Sequence, residues 1–96
     1  MSKTYYVYIL TNTSRATLYT GVTGDLPKRI HQHKNGTGAK FASKYKMTIL
    51  VYAKAFNYVN DAIVFEKYLK DGPRKRKIKL IEENNPNLDD LYETVG

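Results

Sequence analysis

The sequence predicts an α+β fold in which a three-stranded antiparallel sheet is flanked by helices, in the order β-β-α-β-α-α. Two segments rich in β-branched and aromatic residues, Thr4–Leu10 and Leu18–Val22, are joined by a polar linker with turn-forming residues, which is typical of a hairpin. A third strand-like segment, Ile49–Phe56, is followed by segments with helical signals. Helices are therefore available to cover at least one apolar face of the sheet.

Capping and stop signals predict the bounds of the helices. Asp25 stands where a helix N-cap is wanted, directly before Leu26-Pro27, and Asn60 is suited to cap a later helix. Asp71-Gly72-Pro73 ends one helix and opens another. The predicted elements between and after the strands are a helix to about Lys34, a basic loop over Asn35–Lys46, a helix from Asn60 to Lys70, a helix from Arg74 to Glu83, and one last turn over Leu88–Tyr92.

Composition limits the class of protein. The 96 residues suit a single domain, 1–96, with its core at about 4–92. The absence of cysteine excludes disulfides and cysteine-based zinc sites and fits a cytoplasmic location. The N-terminus lacks the pattern of a signal peptide, and no apolar run is long enough to span a membrane. The net charge of +7 favours a nucleic-acid partner, although many small basic proteins are simply soluble.

Two tyrosine-centred strings, Tyr6-Val7-Tyr8 and Tyr19-Thr20-Gly21, precede Arg29 and His33, and Glu66 follows in a later segment. This ordered set resembles the GIY-YIG nuclease superfamily over roughly 5–91, and looks closest to its small standalone bacterial members. The superfamily includes the excision nuclease subunit of bacterial nucleotide repair. The resemblance implies hydrolysis of phosphodiester bonds with one divalent metal, Mg²⁺ or Mn²⁺. It favours DNA over RNA as the substrate, and DNA repair or processing as the setting.

The two strings depart from the motifs of the superfamily. Tyr6 replaces the glycine of the first motif and Thr20 replaces the isoleucine of the second, and neither change removes a presumed catalytic group. Thr20 should face away from Tyr19, because successive side chains alternate along a strand. A glycine on a strand, Gly21, suggests that another group approaches the backbone closely. We interpret it as room for substrate or metal beside Tyr19, with a β-bulge as the alternative.

Glu66 falls inside the apolar arc that helical spacing gives to Ala62, Phe65 and Leu69. A carboxylate there is costly unless it is paired or binds a metal. Taken alone, the pattern favours a carboxylate at the rim of the core, or one paired with a lysine or arginine. The resemblance implies instead that Glu66 binds the divalent metal. Magnesium keeps most of its waters, so one carboxylate is sufficient.

The remaining catalytic candidates are two tyrosines and two residues of the first helix. Alternation allows Tyr8 and Tyr19 to meet as cross-strand neighbours or as diagonals. Arg29 and His33 project together because they lie one helical turn apart. The resemblance implies that a tyrosine takes a proton from the attacking water, that Arg29 binds the scissile phosphate and that His33 assists. The alternatives are packing tyrosines, a surface ion pair for Arg29, and a helix-end histidine at position 33.

Basic side chains outside this set are candidates for phosphate contact. Lys40 and Lys44 lie close in sequence to Phe41 and Tyr45, and basic residues interleaved with aromatics suit an exposed nucleic-acid strand, although a structural role is equally open. A solvated face is the alternative for the basic run that opens the third helix. The predicted nucleic-acid-binding residues are Lys34, Lys40, Lys44, Arg74, Lys75, Arg76 and Lys77.

These residues allow three hypotheses about the function of the protein. The first is a metal-dependent nuclease, and its rivals are a non-catalytic nucleic-acid-binding module and a small adaptor for another protein. Without an appended DNA-reading module, a nuclease of this size should be structure-selective, weakly selective or directed by a partner protein. A helper asparagine found in larger members of the superfamily could correspond to Asn84 or Asn85.

Overall fold

A computed structural model describes residues 3–95, so positions 1, 2 and 96 of the predicted domain lie outside the described residues. It confirms the α+β fold and the predicted order of strands and main helices. No helix within 3–95 is both long enough and apolar enough to cross a membrane. The elements are β1 (Tyr5–Thr11), β2 (Leu18–Thr23), α1 (Leu26–Lys34), α2 (Lys40–Lys44), β3 (Ile49–Phe56), α3 (Val59–Asp71), α4 (Arg74–Asn84) and α5 (Tyr92–Val95).

The three strands form one antiparallel sheet in the order β2-β1-β3, so the first strand is central. The hairpin register pairs Tyr8 with Gly21 and Leu10 with Tyr19. Tyr8 and Tyr19 are therefore diagonal neighbours on one face, which is one of the two arrangements that alternation allowed. This register follows from the length and shape of the loop between the strands, which the sequence pattern did not determine.

Both faces of the sheet are covered. On one face, Val7 and Ile9 of β1 pack with Ala62 and Leu69 of α3 and with Ile81 of α4. The opposite face is buried mainly under α1 and α2, and it carries the tyrosines; its buried residues are Tyr8, Leu10, Leu26, Ile30, Ala42, Met47 and Leu50. Successive side chains of β1 thus point alternately into two apolar layers, one on each face of the sheet, as expected for a central strand.

The C-terminal segment covers the outer edge of β3. The pairing of β1 with β3 skips Val51, which forms a bulge, and the carbonyl of Val51 accepts a hydrogen bond from Asn85 Nδ2 at 3.2 Å. The backbone N–H of Leu50 donates to Asp90 Oδ1, and the N–H of Leu91 donates to the Leu50 carbonyl. These bonds satisfy backbone groups that an edge strand would otherwise expose.

The helix bounds agree with the sequence signals in part. Asp25 caps α1 as predicted, its side chain accepting a hydrogen bond from the N–H of Lys28 at 3.2 Å. The prediction that Asn60 caps α3 is wrong: the helix begins at Val59, after Tyr58, without a side-chain cap.

Two further corrections concern short segments. The predicted loop over 35–46 contains α2, which forms because Ala42 is buried against the sheet, a tertiary contact that the local sequence does not reveal. The last helical turn lies at Tyr92–Val95, not at 88–92. Asp90 accounts for the shift, because its Oδ1 accepts from the N–H of Tyr92 and so caps the turn there.

We expect Asn85→Ala to destabilise the fold by about 1–3 kcal/mol, because it removes bonds to Val51, to the Asp89 carbonyl and from the Asp89 N–H in a buried site. Urea unfolding would measure the loss. The matched control is Asn84→Ala, since that exposed amide donates only to the Leu80 carbonyl of its own helix. Equal losses in the two variants would contradict a special role for Asn85.

Candidate active site

Gly21 makes room for the ring of Tyr8. A Cβ atom at position 21 would lie 2.4 Å from Tyr8 Oη and 2.5 Å from Tyr8 Cζ, so the ring lies directly over the glycine of the neighbouring strand. The close approach predicted for Gly21 is therefore present, but the group that approaches is a side chain of the same protein. This corrects both sequence interpretations of Gly21, which were space for a ligand beside Tyr19 and a bulge.

Tyr8 forms a buried hydrogen bond with His33. Tyr8 Oη lies 3.1 Å from His33 Nε2, and the two side chains are 1 % and 2 % exposed. Burial raises the pKa of Tyr8 above its ordinary value, and Tyr19 raises it further; Arg29 opposes this and Glu66 adds to it. Tyr8 therefore keeps its proton at neutral pH more firmly than a free tyrosine does.

His33 is held as a neutral imidazole. Burial lowers the pKa of His33 below 6.5, and the nearby positive charge of Arg29 lowers it further. Its Nδ1 is buried without a hydrogen-bond partner among the described residues, and it faces Gly38, where a Cβ would lie 2.5 Å away. An imidazolium would leave a charged donor unpaired there, which is costly. The neutral ring can accept the Tyr8 hydroxyl proton at Nε2.

Tyr19 completes a triangle of rings with Tyr8 and His33. The ring centroids lie 6.4 Å apart for Tyr8 and Tyr19, 5.8 Å for Tyr8 and His33, and 5.6 Å for Tyr19 and His33. Tyr19 is only half-buried, so it is the member of the triangle nearest to solvent. The structure thus brings three of the five predicted catalytic residues into direct contact.

Arg29 and Glu66 lie at the margin of this triangle. Both charges act on Tyr8, and Arg29 also acts on His33. Arg29 is half-buried and lines an open groove with Lys3 and Lys28, so an anion can reach it. Tyr8 and His33 therefore form a buried polar pair, with Tyr19 in contact and one positive and one negative charge acting on Tyr8.

Glu66 is suited to a largely hydrated metal ion. Its side chain is 18 % exposed, and its Oε2 lies 3.3 Å from Lys70 Nζ, one turn further along α3. No group of three or more His, Cys, Asp or Glu side chains within 3–95 could jointly hold a metal. A single accessible carboxylate fits Mg²⁺ or Mn²⁺, which retain most of their waters, once the exposed Lys70 ammonium moves aside.

Two of the predicted phosphate contacts are engaged within the protein. Lys34 Nζ donates to the Thr48 carbonyl at 2.8 Å, pairs with Asp90, and lies over the ring of Tyr92. Although burial raises the pKa of Asp90, the bond from Lys34 and those from backbone N–H groups lower it overall. Lys34 therefore joins α1 to the C-terminal segment.

Arg76 is engaged in a similar way. Its Nη1 donates to the Tyr68 carbonyl at 2.8 Å, and its guanidinium lies 4.0 Å from the centroid of the Tyr68 ring. It also packs against Gly72, where a Cβ would clash with it. Arg76 thus satisfies a carbonyl near the C-terminal end of α3 and fixes the turn into α4.

The other basic residues of α4 differ in how far they are exposed to a ligand. Burial lowers the pKa of Lys77, and the positive charges of Lys70 and Arg74 lower it further, so these three cations lie close together. Lys70 was missed by the sequence analysis, although its position four residues after Glu66 was a usable signal. Arg74 and Lys75 are exposed, and so are Lys40 and Lys44 on α2.

Within residues 3–95, no hydrogen bond joins Asn84 or Asn85 to the residues of the ring triangle. Asn85 is buried beneath the edge of β3, and the amide of Asn84 bonds to its own helix. Their contacts support a structural role for Asn85.

The comparison with known families bears on the same residues. The sequence profile described as the GIY-YIG catalytic domain matches residues 4–79, which include β1, β2, α1, α3 and every residue of the ring triangle. The chain belongs to the GIY-YIG family. Membership of the GIY-YIG family implies a nuclease-type function and a nucleic-acid substrate, and GIY-YIG nucleases generally use a divalent metal.

Small bacterial GIY-YIG proteins resemble the chain over most of its length. The UPF0213 protein of Staphylococcus saprophyticus is 38% identical over 79 residues, which are 82% of this chain and 95% of that protein. The UPF0213 protein YazA of Bacillus subtilis is 35% identical over 74 residues, covering 77% of this chain and 75% of that one. The solution structure of a UPF0213 protein from Bacillus halodurans aligns with a TM-score of 0.56 at 30% identity, covering 91% of this chain and 92% of that chain.

We expect Gly21→Ala to destabilise the protein by about 1–3 kcal/mol, because the added methyl group overlaps the buried Tyr8 ring. The loss would be measured by thermal or urea unfolding. Gly24→Ala is the control, since its Cβ would overlap only with the flexible end of Lys3 and would meet the Tyr5 ring at an ordinary contact distance of 3.6 Å. A similar loss at both positions would show that the packing of Tyr8 over Gly21 is not the cause.

The neutral state of His33 predicts a pH-dependent stability. Its folded pKa lies below 6.5, whereas the unfolded chain takes up a proton near 6.5, so the free energy of unfolding should fall as pH drops below that value and level off below the folded pKa. Urea unfolding between about pH 8 and pH 5 would show the effect. His33→Gln should remove it, and His31→Gln, at an exposed position, should keep it. An unchanged pH profile in His33→Gln would contradict the assignment.

Proposed function

We propose that this protein is a metal-dependent endonuclease that hydrolyses phosphodiester bonds of nucleic acid, with DNA favoured over RNA. The observation that carries the proposal is the buried contact of Tyr8 with His33, flanked by Tyr19 and lying within reach of the charges of Arg29 and Glu66. Repair or processing of DNA is the setting that the family resemblance favours.

Tyr8 and His33 would together take up the proton of the attacking water. Tyr8 cannot act as a phenolate, because burial raises its pKa. Its hydroxyl oxygen can receive a proton while its own proton passes to His33 Nε2, so the pair gains one proton as the water oxygen bonds to phosphorus. The bond from phosphorus to the leaving oxygen breaks, and that oxygen takes a proton from solvent. Water would approach beside Tyr19, since Tyr8 itself is 1 % exposed.

Arg29 would bind the scissile phosphate. A guanidinium can hold two phosphate oxygens at once and stabilise the negative charge that grows on them during the reaction. Its half-buried position in a groove with Lys3 and Lys28 gives it access to an anion and neighbours of the same sign. The same positive charge helps to keep the His33 ring neutral, so that Nε2 is free to accept the Tyr8 proton, although it also makes the ring a weaker base.

Glu66 would hold the divalent metal, Mg²⁺ or Mn²⁺, through its partly exposed carboxylate. The bound cation would supply stabilisation of negative charge at the reacting phosphate. Lys70 lies close to Arg74 and Lys77. These three cations and Lys75 would offer a surface for the sugar-phosphate backbone on the Glu66 side, whereas Lys40 and Lys44 would offer one on α2.

Cleavage of labelled single-stranded, duplex, branched and flapped DNA, with matching RNA, tests the proposal in Mg²⁺ or Mn²⁺. We expect Tyr8→Phe, Arg29→Ala and Glu66→Gln each to lower the rate by roughly 10²-fold or more, since each removes one contribution to the transition state. Tyr58→Phe, His31→Gln and Asp61→Asn alter an exposed tyrosine, histidine and aspartate outside the site and should cleave normally. Metal-dependent cleavage that survives all three site substitutions would refute the assignment.

A binding measurement separates the metal site from the reaction. Mg²⁺ should shift, and Mn²⁺ should broaden, the amide resonances around Glu66 in the parent protein and in Asp61→Asn. Neither metal should affect them in Glu66→Gln. Unmoved resonances in the parent would exclude Glu66 as the ligand. If no substrate is cut and affinity for nucleic acid falls steeply with salt, the protein is a binding module. Absence of both cleavage and binding would favour the adaptor.

A further inference from the structure

Two exposed aromatic side chains stand next to the ring triangle, one on α2 and one at the C-cap of that helix. Phe41 and Tyr45 are 46 % and 42 % exposed, and their ring centroids lie 4.7 Å apart with an angle of 44° between the planes. We call this pair the aromatic ledge. Exposure of two large rings side by side, on a five-residue helix and its C-cap, is unfavourable in water, so it calls for an explanation beyond folding.

The aromatic ledge is continuous with the candidate active site. The Phe41 ring stacks on Tyr19 with centroids 6.1 Å apart and planes 20° from parallel, and Tyr19 in turn contacts Tyr8 and His33. The rings therefore form a row from the buried proton-handling pair to the surface. A ligand group lying on Phe41 or Tyr45 would sit close to Tyr19, where water approaches in the proposed reaction.

Groups outside the ledge also anchor α2. Ala42, between the two aromatic positions, is the residue of this helix that is buried in the sheet-facing core. Backbone bonds complete the attachment, with Met47 N–H donating to the Ala42 carbonyl and Asn12 Nδ2 donating to the Tyr45 carbonyl. The rings of Phe41 and Tyr45 are thus held in place by a helix that is fixed through other groups.

The charges around the ledge match those of a nucleic-acid strand. Lys40 and Lys44 are exposed on the same short helix, and Lys44 Nζ lies 5.4 Å from the centroid of the Tyr45 ring. Flat apolar faces bordered by ammonium groups are suited to a strand that presents bases and phosphates alternately. A paired base inside a duplex has no free face to offer, whereas an unpaired base does.

We propose that the aromatic ledge stacks on unpaired nucleobases adjacent to the scissile phosphate, so that the preferred substrate is a single strand, flap, loop or frayed end rather than intact duplex. The position of the cut relative to the ledge rests on the proposed nuclease function, but the stacking itself does not. Phe41 and Tyr45 would be binding residues that confer specificity, and the chemistry would remain with the ring triangle.

The proposal is tested by binding in the presence of a chelator, which prevents cleavage. A fluorescent single-stranded oligonucleotide and a duplex of the same sequence would be titrated with the parent protein, Phe41→Leu and Tyr45→Leu. Each substitution should weaken single-strand binding about tenfold or more, the usual effect of losing one stacked base, and change duplex binding less than about twofold. Tyr58→Leu, which removes a ring that is 71 % exposed, should leave both unchanged.

Salt dependence separates stacking from charge. The loss caused by Phe41→Leu should be the same fold-change at low and high salt, whereas Lys44→Gln should reduce the slope of affinity against salt. Equal weakening of single-strand and duplex binding by Phe41→Leu, or a loss that disappears at high salt, would overturn the proposal.

A gain of signal covers the case in which the leucine variants fold poorly. The chain contains no tryptophan, so Phe41→Trp introduces a single fluorophore and retains a ring that can stack. Its emission should be quenched by the single strand and not by the duplex at saturating concentrations, and unchanged emission with bound single strand would refute stacking. Failure of the nuclease proposal would appear separately, as absence of metal-dependent cleavage in the parent with this binding pattern intact.

Discussion

The ring of Tyr8, lying over Gly21 with its hydroxyl on His33, is the contact on which the rest of the candidate site depends. It joins three elements, because Tyr8 belongs to β1, Gly21 to β2 and His33 to α1. The close approach is possible only because position 21 has no side chain. Burial also determines the protonation of the pair, since it keeps Tyr8 protonated and His33 neutral and so favours a neutral hydrogen bond over an ion pair.

The last turn of α1 is fixed at two consecutive residues, which explains how His33 keeps its position. His33 bonds to Tyr8 towards the sheet, and Lys34 bonds to the Thr48 carbonyl and Asp90 towards the C-terminal segment. Asp90 also holds the outer edge of β3 through the N–H of Leu50. A single set of contacts therefore secures the helix, the sheet edge and the imidazole, and a polar pair that would be costly alone is held by its surroundings.

The sequence was sufficient where a local signal determined the structure. The cap at Asp25, the strand at Ile49–Phe56 and the shared face of Tyr8 and Tyr19 all follow from capping, composition and alternation. It was insufficient where the position of a residue depends on a contact with a part of the chain that is distant in sequence. Gly21 is needed because a ring from the neighbouring strand packs on it. In the basic segment that opens α4, Arg76 bonds to the end of α3, whereas Lys77 lies beside Lys70.

The short helix α2 shows why such partners matter for function. Five residues are too few to form a stable helix alone, and the preceding glycines, Gly36 and Gly38, do not favour a helix at this position. Burial of Ala42, the bond from Ser43 Oγ to the Gly36 carbonyl and the bond from Asn12 to Tyr45 give it a fixed position. These contacts leave the rings of Phe41 and Tyr45 exposed. The ring contacts therefore run from the buried Tyr8, through Tyr19, to Phe41 and Tyr45 at the surface. In the proposed nuclease, this arrangement of rings would exclude water around Tyr8 and His33 and still admit a polyanion, with the cations placed at its outer end.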